Sequence, residues 1–512
     1  MATIDLADRL KTDSMNGLGP KLKMLAALSW PAMLAQMSTI VMEYIDASMV
    51  GSLGEVSSAA IGLVATSTWL LWGIGGASVT GFAVQVAHRV GAGDDYGARM
   101  VLRRSVAMVF LISVLVGLIG VAISGALPHW LGGSGEVCVQ ASDYFMIFSA
   151  TLPALFMTFL GTSLLRCSGN MLVPGVANVL LCLLDVVFNF LLIFETREIS
   201  LGGISMIVPG AGLGVAGAAL GSFFAVLCAG TWIWLFLLYR SKRLQHPYSR
   251  ETRSRHIPGE NVLRSAVKIG WPVALERVVM CGAQICITAI VAPLGNAALA
   301  ANAFAVTAEG LCYMPGYGLS DASTTLVGQS LGAGRKDLTI SFGRIALWSG
   351  IVVMGVLGIV MWFMAPEMMG LFSPVTEIRE LGTMALRTEA WAEPMFGAAI
   401  VGYGIFIGAG YTLVPATINF SSIWCVRLTL SAIMAPSLGL FGVWLAMCLE
   451  LCVRGLAFLY VFARKKWLTK ALNDRNQKGN DKDEKSGEDN VDLGNAQNQV
   501  LEPQEESINN YF

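Results

Sequence analysis

The 512-residue sequence has few charged residues and very few histidines. Asp, Glu, Lys and Arg make up only 13% of the chain, less than a soluble domain needs to cover its surface with polar groups. The histidines show no metal-ligand spacing, and no nucleophile motif accompanies them; they are His88, His129, His246 and His256. Composition therefore argues against a soluble protein, a metal centre and a membrane enzyme.

Paired cysteines and nucleotide-binding loops are also missing. The ten cysteines stand singly with no Cys-x-x-Cys pair, so neither a zinc site nor a disulfide framework is expected. No G-x-x-x-x-G-K-[ST] motif occurs, which excludes ATP bound by such a loop in this chain as the energy source. The formal net charge of -1 comes with no basic, aromatic-interleaved surface, and we expect no nucleic-acid partner.

Long apolar segments are abundant. Hydrophobic residues make up 55% of the chain, and the blocks 69–86, 106–123 and 215–238 contain no Asp, Glu, Lys or Arg. Blocks of about 18 apolar residues or more cross a bilayer as helices. The sequence predicts an all-α integral membrane protein with twelve transmembrane spans, near 24–50, 58–86, 101–125, 139–163, 172–195, 210–239, 262–292, 298–327, 341–364, 381–408, 414–436 and 439–463.

Lys and Arg residues orient these spans. They concentrate in alternate loops, with Arg197 as an exception, and this asymmetry predicts that both termini are cytoplasmic. Residues 1–23 lack the apolar core of a signal peptide, so we expect the first span to act as the insertion signal. The predicted organisation is a cytoplasmic segment 1–23, an N-lobe 24–239, a basic cytoplasmic linker 240–261, a C-lobe 262–466 and a disordered cytoplasmic tail 467–512.

The two halves match each other at one offset of 241 residues. Pairs at this offset are Trp30-Pro31 with Trp271-Pro272, Leu53-Gly54 with Leu294-Gly295, Gly91-Ala92-Gly93 with Gly332-Ala333-Gly334, Pro174 with Pro415 and Asn178 with Asn419. A run of matches at a single offset indicates a duplicated fold. Six spans per half predict two lobes related by a pseudo-two-fold axis along the membrane normal, enclosing a central cleft.

Several motifs resemble those of one transporter family. They are YIDASMVGSLG at 44–54, VGAGD at 90–94, RCSGN at 166–170, GWPVALE at 270–276, EGLCYMPGYG at 309–318 and TTLVGQ at 324–329. Together they resemble the multidrug and toxic compound extrusion (MATE) transporters, and look closest to the DNA-damage-inducible branch. The resemblance covers roughly 25–465 and implies efflux of amphipathic, often cationic, small molecules driven by entry of H+ or Na+, with no other cofactor.

Acidic residues within the first-half spans are candidates for coupling. A charged side chain in hydrocarbon costs about 2.5–3.5 kcal/mol on insertion scales, so each one requires a reason. Glu43 and Asp46 lie three residues apart in the first span, and Asp185 lies in the middle of the fifth. These carboxylates can exchange H+ for Na+ or for a cationic substrate, and Na+ at Asp46 and Asp185 is the only metal considered. A structural ion pair or a lipid-head contact is the alternative.

The resemblance supports the assignment of Asp46 and Asp185 as coupling residues, because both match acids of the family in those two helices. The family often has Asn four residues before the acid of the fifth helix, where this chain has Leu181. Asn178 and Asn189 lie near the same helical face as Asp185. We hypothesise that one of them supplies the missing amide oxygen.

The second half contributes acids to a predicted substrate cavity. Glu276 and Glu309 stand where this branch of the family has Glu, and Glu389 and Glu393 lie four apart on one face of the tenth predicted span. An interhelical hydrogen bond is the alternative for Glu276 and Glu309. Glu450 and Arg454, also four apart, are interpreted as a structural pair.

The predicted function is secondary antiport by rocking-type alternating access. We expect a multi-pass, monomeric protein of the plasma membrane (the cell inner membrane) whose partners are a small-molecule substrate and the lipid bilayer. A channel or receptor fits poorly with duplication and with acids in both halves. A flippase of a lipid-linked substrate on a related two-lobe fold is the alternative, although its pyrophosphate would require a cationic cavity.

Overall fold

The computed structural model describes residues 17–201, 204–241, 243–244, 261–469 and 471. Most of the predicted N-terminal segment, nearly all of the basic linker and the tail from 472 onward lie outside the described residues. The first helix already begins at Leu18, six residues before the predicted first span.

The N-lobe contains six long helices and a β-hairpin. The helices are α1 (Leu18–Gly51), α2 (Glu55–Ala92), α3 (Asp95–Ile123), α4 (Gly135–Cys167), α5 (Leu172–Ile193) and α6 (Gly214–Tyr239), with one further helical turn at Leu127–Trp130. The antiparallel strands β1 (Glu195–Leu201) and β2 (Ile204–Ala211) connect α5 to α6. This hairpin was not predicted, although Gly202-Gly203 between two β-branched runs is a hairpin signal.

The C-lobe follows the N-lobe in the order of its spans, but its helices are more irregular. They are α7 (Val262–Val291), α8 (Asn296–Gly332), α9 (Lys336–Phe372), α10 (Thr376–Glu389), α11 (Glu393–Gly408), α12 (Leu413–Ser421) and α13 (Thr429–Arg464), with a 3₁₀ turn at Ala292–Leu294 and a π-helical segment at Ser422–Leu428. Gly439 has φ 60° and kinks α13. If α10 and α11 form one bent span, and the chain from Leu413 to Arg464 forms two spans that meet at Gly439, the prediction of twelve spans is confirmed.

Proline has different effects at different places in the helices. Pro31 and Pro272 lie inside continuous helices, α1 and α7. Pro394 lies in the first turn of α11, where its missing N–H needs no partner, and the chain bends by 62° between α10 and α11. Glu389 and Glu393 therefore lie on opposite sides of this break. The prediction that one continuous helix carries both residues is wrong.

The duplication seen in the sequence extends to side-chain contacts. Asn178 Nδ2 donates a 2.7 Å hydrogen bond to the backbone oxygen of Ala35. Asn419 Nδ2 donates a 2.7 Å hydrogen bond to Glu276 Oε1. Asn419 follows Asn178 by 241 positions, and Glu276 follows Ala35 by the same number. The two lobes therefore share a scaffold, with different atoms placed at equivalent positions.

Apolar side chains fill the lobes and also cover their outside. Large exposed side chains such as Leu118, Trp348 and Phe363 face outward, as expected where lipid replaces water. The buried core extends beyond the predicted end of the C-lobe, because Trp467 is 1% exposed and stacks on Phe462 with ring centroids 5.7 Å apart. The C-lobe therefore continues through Leu468, which is also buried.

Candidate functional site

Two carboxylates and an amide meet between α1 and α5. Asn189 Nδ2 donates hydrogen bonds of 2.9 Å to Asp46 Oδ1 and of 2.9 Å to Asp185 Oδ2. Asp185 and Asn189 are one helical turn apart on α5, so their side chains lie on the same face. Helix packing thus joins Asp46 to an acid 139 positions later in the chain. We call Asp46, Asp185 and Asn189 the N-lobe acid site.

The N-lobe acid site is rich in oxygen atoms and is buried at Asp185 and Asn189, whereas Asp46 is half-buried. Asp185 and Asn189 are each 1% exposed, and Asn189 Oδ1 has no hydrogen-bond partner among the described residues. Gly221 of α6 makes room for this oxygen, since a Cβ at that position would lie 2.0 Å from it. Carboxylate and amide oxygens are ligands that suit a hard cation, and the carboxylates also accept protons. Oxygen groups of this kind are chemically suited to bind a proton or a small hard cation.

The other two predicted coupling residues, Glu43 and Asn178, lie near this site, and within the described part of the chain neither is hydrogen-bonded to it. Glu43 is exposed and stands on α1 about one turn before Asp46. Asn178 Nδ2 donates to Ala35 O and, at 2.9 Å, to Thr39 Oγ1. Asn178 thus ties α5 to an earlier part of α1. The structure places Asn189, and not Asn178, against both aspartates.

Three glutamates form a second group in the C-lobe, which we call the C-lobe glutamate cluster. Glu309 of α8 is 3% exposed, and Glu389 and Glu393 are each 0% exposed at the break between α10 and α11. The carboxylate oxygens of Glu389 and Glu393 have no hydrogen-bond partner in the described part of the chain. None of the three faces open space in this conformation. Buried carboxylates of this kind require a proton or a cation to offset their charge.

Irregular backbone surrounds the C-lobe glutamate cluster. Arg427 lies in the π-helical segment, with Nη2 2.5 Å from Met447 Sδ and with Nε lacking a partner among the described residues. Its charge acts on both Glu309 and Glu389. The α10–α11 break and the π-helical segment thus border a group of buried charges, and π-helical turns occur often at functional sites. Arg427 was not among the site residues predicted from the sequence.

Glu276 stands apart from the other three predicted cavity residues. Tyr403 Oη donates a 2.6 Å hydrogen bond to Glu276 Oε2, and Asn419 donates to Oε1. Both carboxylate oxygens are therefore satisfied within the C-lobe. Tyr403 and Asn419 were not predicted as partners. The position of Asn419, 241 residues after Asn178, was the signal that could have drawn attention to it.

Residue types at equivalent positions of the two lobes differ at these sites. Positions 241 residues after Asp46 and Asp185 hold Ile287 and Val426. Positions 241 residues before the C-lobe glutamate cluster hold Thr68, Phe148 and Leu152. The acids of each lobe thus have no acidic counterpart in the other. Among the described residues, no three His, Cys, Asp or Glu side chains form a metal-binding group.

Comparison with known proteins shows which family the chain resembles in sequence. The sequence model of the MatE family matches residues 31–191 and 272–433, one match in each lobe. The "Probable multidrug resistance protein NorM" of Thermotoga maritima is 22% identical over 453 residues, covering 88% of this chain and 94% of the relative. The protein of the same name from Pseudomonas aeruginosa is 26% identical over 477 residues, covering 88% of this chain and 91% of the relative.

Solved structures agree on the fold. The outward-facing conformation of a multidrug resistance MATE family transporter of the MOP superfamily superimposes with a TM-score of 0.80 at 20% identity, over 92% of this chain and all (100%) of that one. A MOP superfamily transporter from Pyrococcus furiosus also gives 0.80, at 19% identity over 91% of this chain and 98% of that one. At such identities the likeness establishes the two-lobe, twelve-helix fold alone.

Proposed function

The chain belongs to the MatE family of multidrug efflux transporters, and from this we propose that it is a secondary antiporter exporting amphipathic, cationic small molecules in exchange for H+ or Na+. Its relatives are transporters, and it is not an enzyme. The observation that carries the proposal is the N-lobe acid site. Two aspartates from different helices share one amide donor there, inside a membrane-spanning bundle.

Coupling requires that the acid site influence the contact between the lobes, and α1 provides the connection. Asp46 of α1 binds Asn189 within the N-lobe. Two residues earlier, Tyr44 Oη donates a 2.6 Å hydrogen bond to the backbone oxygen of Thr307 on α8, in the C-lobe. A proton or Na+ that alters the Asp46–Asn189 contact therefore acts on a helix that also holds the other lobe. Differential binding to the two conformations of the lobes then drives alternating access.

The C-lobe glutamate cluster is the proposed partner of a cationic substrate. Glu309, Glu389 and Glu393 are sealed in this conformation, so we propose that movement at the α10–α11 break gives substrate or protons access to them. Glu276, with both carboxylate oxygens bonded, is assigned to the support of this lobe rather than to direct contact. The acidic character of the buried charges supports a cationic substrate over the pyrophosphate of a lipid-linked flippase substrate.

The proposed membrane location is based on the bacterial relatives, and the proposed orientation is based on the charges of the loops. We propose a monomer in the cell inner membrane with both termini cytoplasmic. Arg197, the basic exception on the predicted outer side, stacks on two rings at the end of α5, with its guanidinium carbon 4.4 Å from the Phe190 centroid and 4.1 Å from that of Phe194. Its charge therefore has a local partner and does not disturb the orientation.

Gradient-driven transport in purified proteoliposomes tests the function. We expect ethidium to move against its own gradient when either a pH gradient or an Na+ gradient is imposed alone, and to stop when a matching ionophore collapses that gradient. Protein-free liposomes provide the control. If neither gradient drives ethidium transport, antiport of cationic drugs is contradicted. A specific metabolite or a lipid-linked substrate would then be favoured.

Asn189→Ala tests whether the amide of Asn189 is the one that supports coupling at Asp46 and Asp185. We expect the rate of gradient-driven efflux to fall by about tenfold, because the substitution removes the single donor shared by Asp46 and Asp185. Asn178→Ala is the matched comparison, since it removes an amide of the same helix that bonds Ala35 and Thr39 instead. We expect it to lower thermal stability while leaving the dependence on the ion gradient unchanged. If both variants keep wild-type coupling, neither amide serves the site.

A further inference from the structure

Among the hydrogen bonds that cross between the lobes at one end of the bundle, two are related to each other by the internal repeat. This end, which we call the basic end, is where α1 begins and where α2, α4, α8 and α11 end. His88 Nε2 of α2 lies 2.8 Å from the backbone oxygen of Gly408, the last residue of α11. Gln329 Nε2 of α8 donates a 2.8 Å hydrogen bond to the backbone oxygen of Cys167, the last residue of α4.

These two contacts are related by the internal repeat. Gln329 follows His88 by 241 positions, and Gly408 follows Cys167 by the same number. In each contact, a side chain of one lobe satisfies a carbonyl at the C-terminal end of a helix in the other lobe. The last carbonyls of a helix have no partner within the helix, so they are free to accept such bonds.

Two glycines bring the same helices into backbone contact. A Cβ on Gly91 would lie 2.1 Å from the backbone oxygen of Gln329, and a Cβ on Gly332 would lie 2.1 Å from that of His88. Gly91 and Gly332 are again 241 positions apart. Each glycine thus touches the residue whose side chain makes the crossing hydrogen bond, and no larger residue fits without separating the lobes.

Burial shows that this contact is tight. Gln329 is 0% exposed and Cys167 5% exposed. Further bonds from α8 extend the contact on one side, where Thr325 Oγ1 donates to Arg166 O at 3.2 Å and Arg166 Nη1 binds Asp321 Oδ2 at 2.7 Å. Water therefore has little access between the lobes at the basic end of this conformation.

We propose that His88, Gln329, Gly91 and Gly332 form a cytoplasmic seal, a paired latch that is closed here and must open for the protein to face the cytoplasm. This inference rests on the proposed antiport and orientation. When the lobes separate, water replaces the crossing bonds at the four partners, so the latch can open and close repeatedly without covalent change. Its two-fold arrangement lets both halves release together.

Cys167 is a native reporter of the seal, because its thiol lies inside it. The experiment treats inside-out vesicles, whose cytoplasmic face is outward, with a membrane-impermeant maleimide and measures modification of Cys167 by peptide mass spectrometry. We expect slow labelling of the wild type and at least about tenfold faster labelling of Gly91→Ala and Gly332→Ala, since the added methyl groups favour the open state. Gly76→Ala, where no atom lies within 4 Å of the added methyl, should label like wild type.

A second variant covers the case in which the glycine variants do not fold. Gln329→Leu removes one crossing bond without adding bulk and should label several-fold faster than wild type. Wild-type labelling rates in folded Gly91→Ala, Gly332→Ala and Gln329→Leu would overturn the seal. Fast labelling of the wild type only in right-side-out vesicles would place the basic end outside and overturn the orientation. Labelling needs no transported substrate, so a failed efflux assay leaves this test independent.

Discussion

Asp46→Asn and Asp185→Asn are each expected to abolish gradient-driven efflux, with losses of at least about a hundredfold in rate. Asparagine keeps the size and most of the hydrogen-bonding capacity of aspartate but cannot take up a proton or supply a negative charge to Na+. The fold should survive, because Asn189 can still donate to an amide oxygen at either position. The measurement is ethidium efflux in proteoliposomes at matched protein content, with each ion gradient imposed separately.

Asp143→Asn is the matched control for these two variants. Asp143 is an exposed acid on α4 of the same lobe, and its substitution should leave efflux unchanged. Substrate binding without a gradient separates coupling from recognition, because the Asp46→Asn and Asp185→Asn proteins should still bind ethidium. Wild-type coupling in either of those variants would show that the N-lobe acid site is structural.

Removal of Arg454 should destabilise the protein more than any other single change considered for the C-lobe. Arg454 Nη2 donates to Glu450 Oε2 at 2.9 Å, Arg454 Nε lies 2.8 Å from Glu450 Oε1, and Ser422 Oγ also bonds Glu450. Glu450 is 0% exposed, so Arg454→Ala removes the cation that is paired directly with this buried carboxylate, at a cost of about 3–5 kcal/mol. The measurement is the half-life of the monodisperse protein in detergent at fixed elevated temperature, which should shorten sharply.

A double substitution distinguishes charge compensation from simple packing. Glu450→Met with Arg454→Leu removes both charges and keeps apolar volume, so most of the lost half-life should return. Lys466→Ala, an exposed basic residue after the end of α13, should behave like wild type. Equal instability of the single and the double variants would contradict the assignment of this pair to charge compensation.

The membrane class, the spans and the repeat were readable from the sequence. Backbone groups in hydrocarbon must bond within their own segment, so each long uncharged block has one available structure, a helix. Repeat matches such as Trp30-Pro31 with Trp271-Pro272 needed no coordinates, because duplication leaves its trace in residue order. Asp46 and Asp185 were also identified in advance, since an acid inside a span demands a partner or a function.

Only the tertiary structure decided which polar groups meet. Asn178 and Asn189 both lie near the face of α5 that carries Asp185, but the packing of α5 on α1 puts Asn189 against the aspartates and Asn178 against Ala35. Spacing along one helix cannot determine this choice, because it depends on the depth and rotation of a second helix. The bend before Pro394 likewise placed Glu389 and Glu393 on two helices, although periodicity alone had placed them on one.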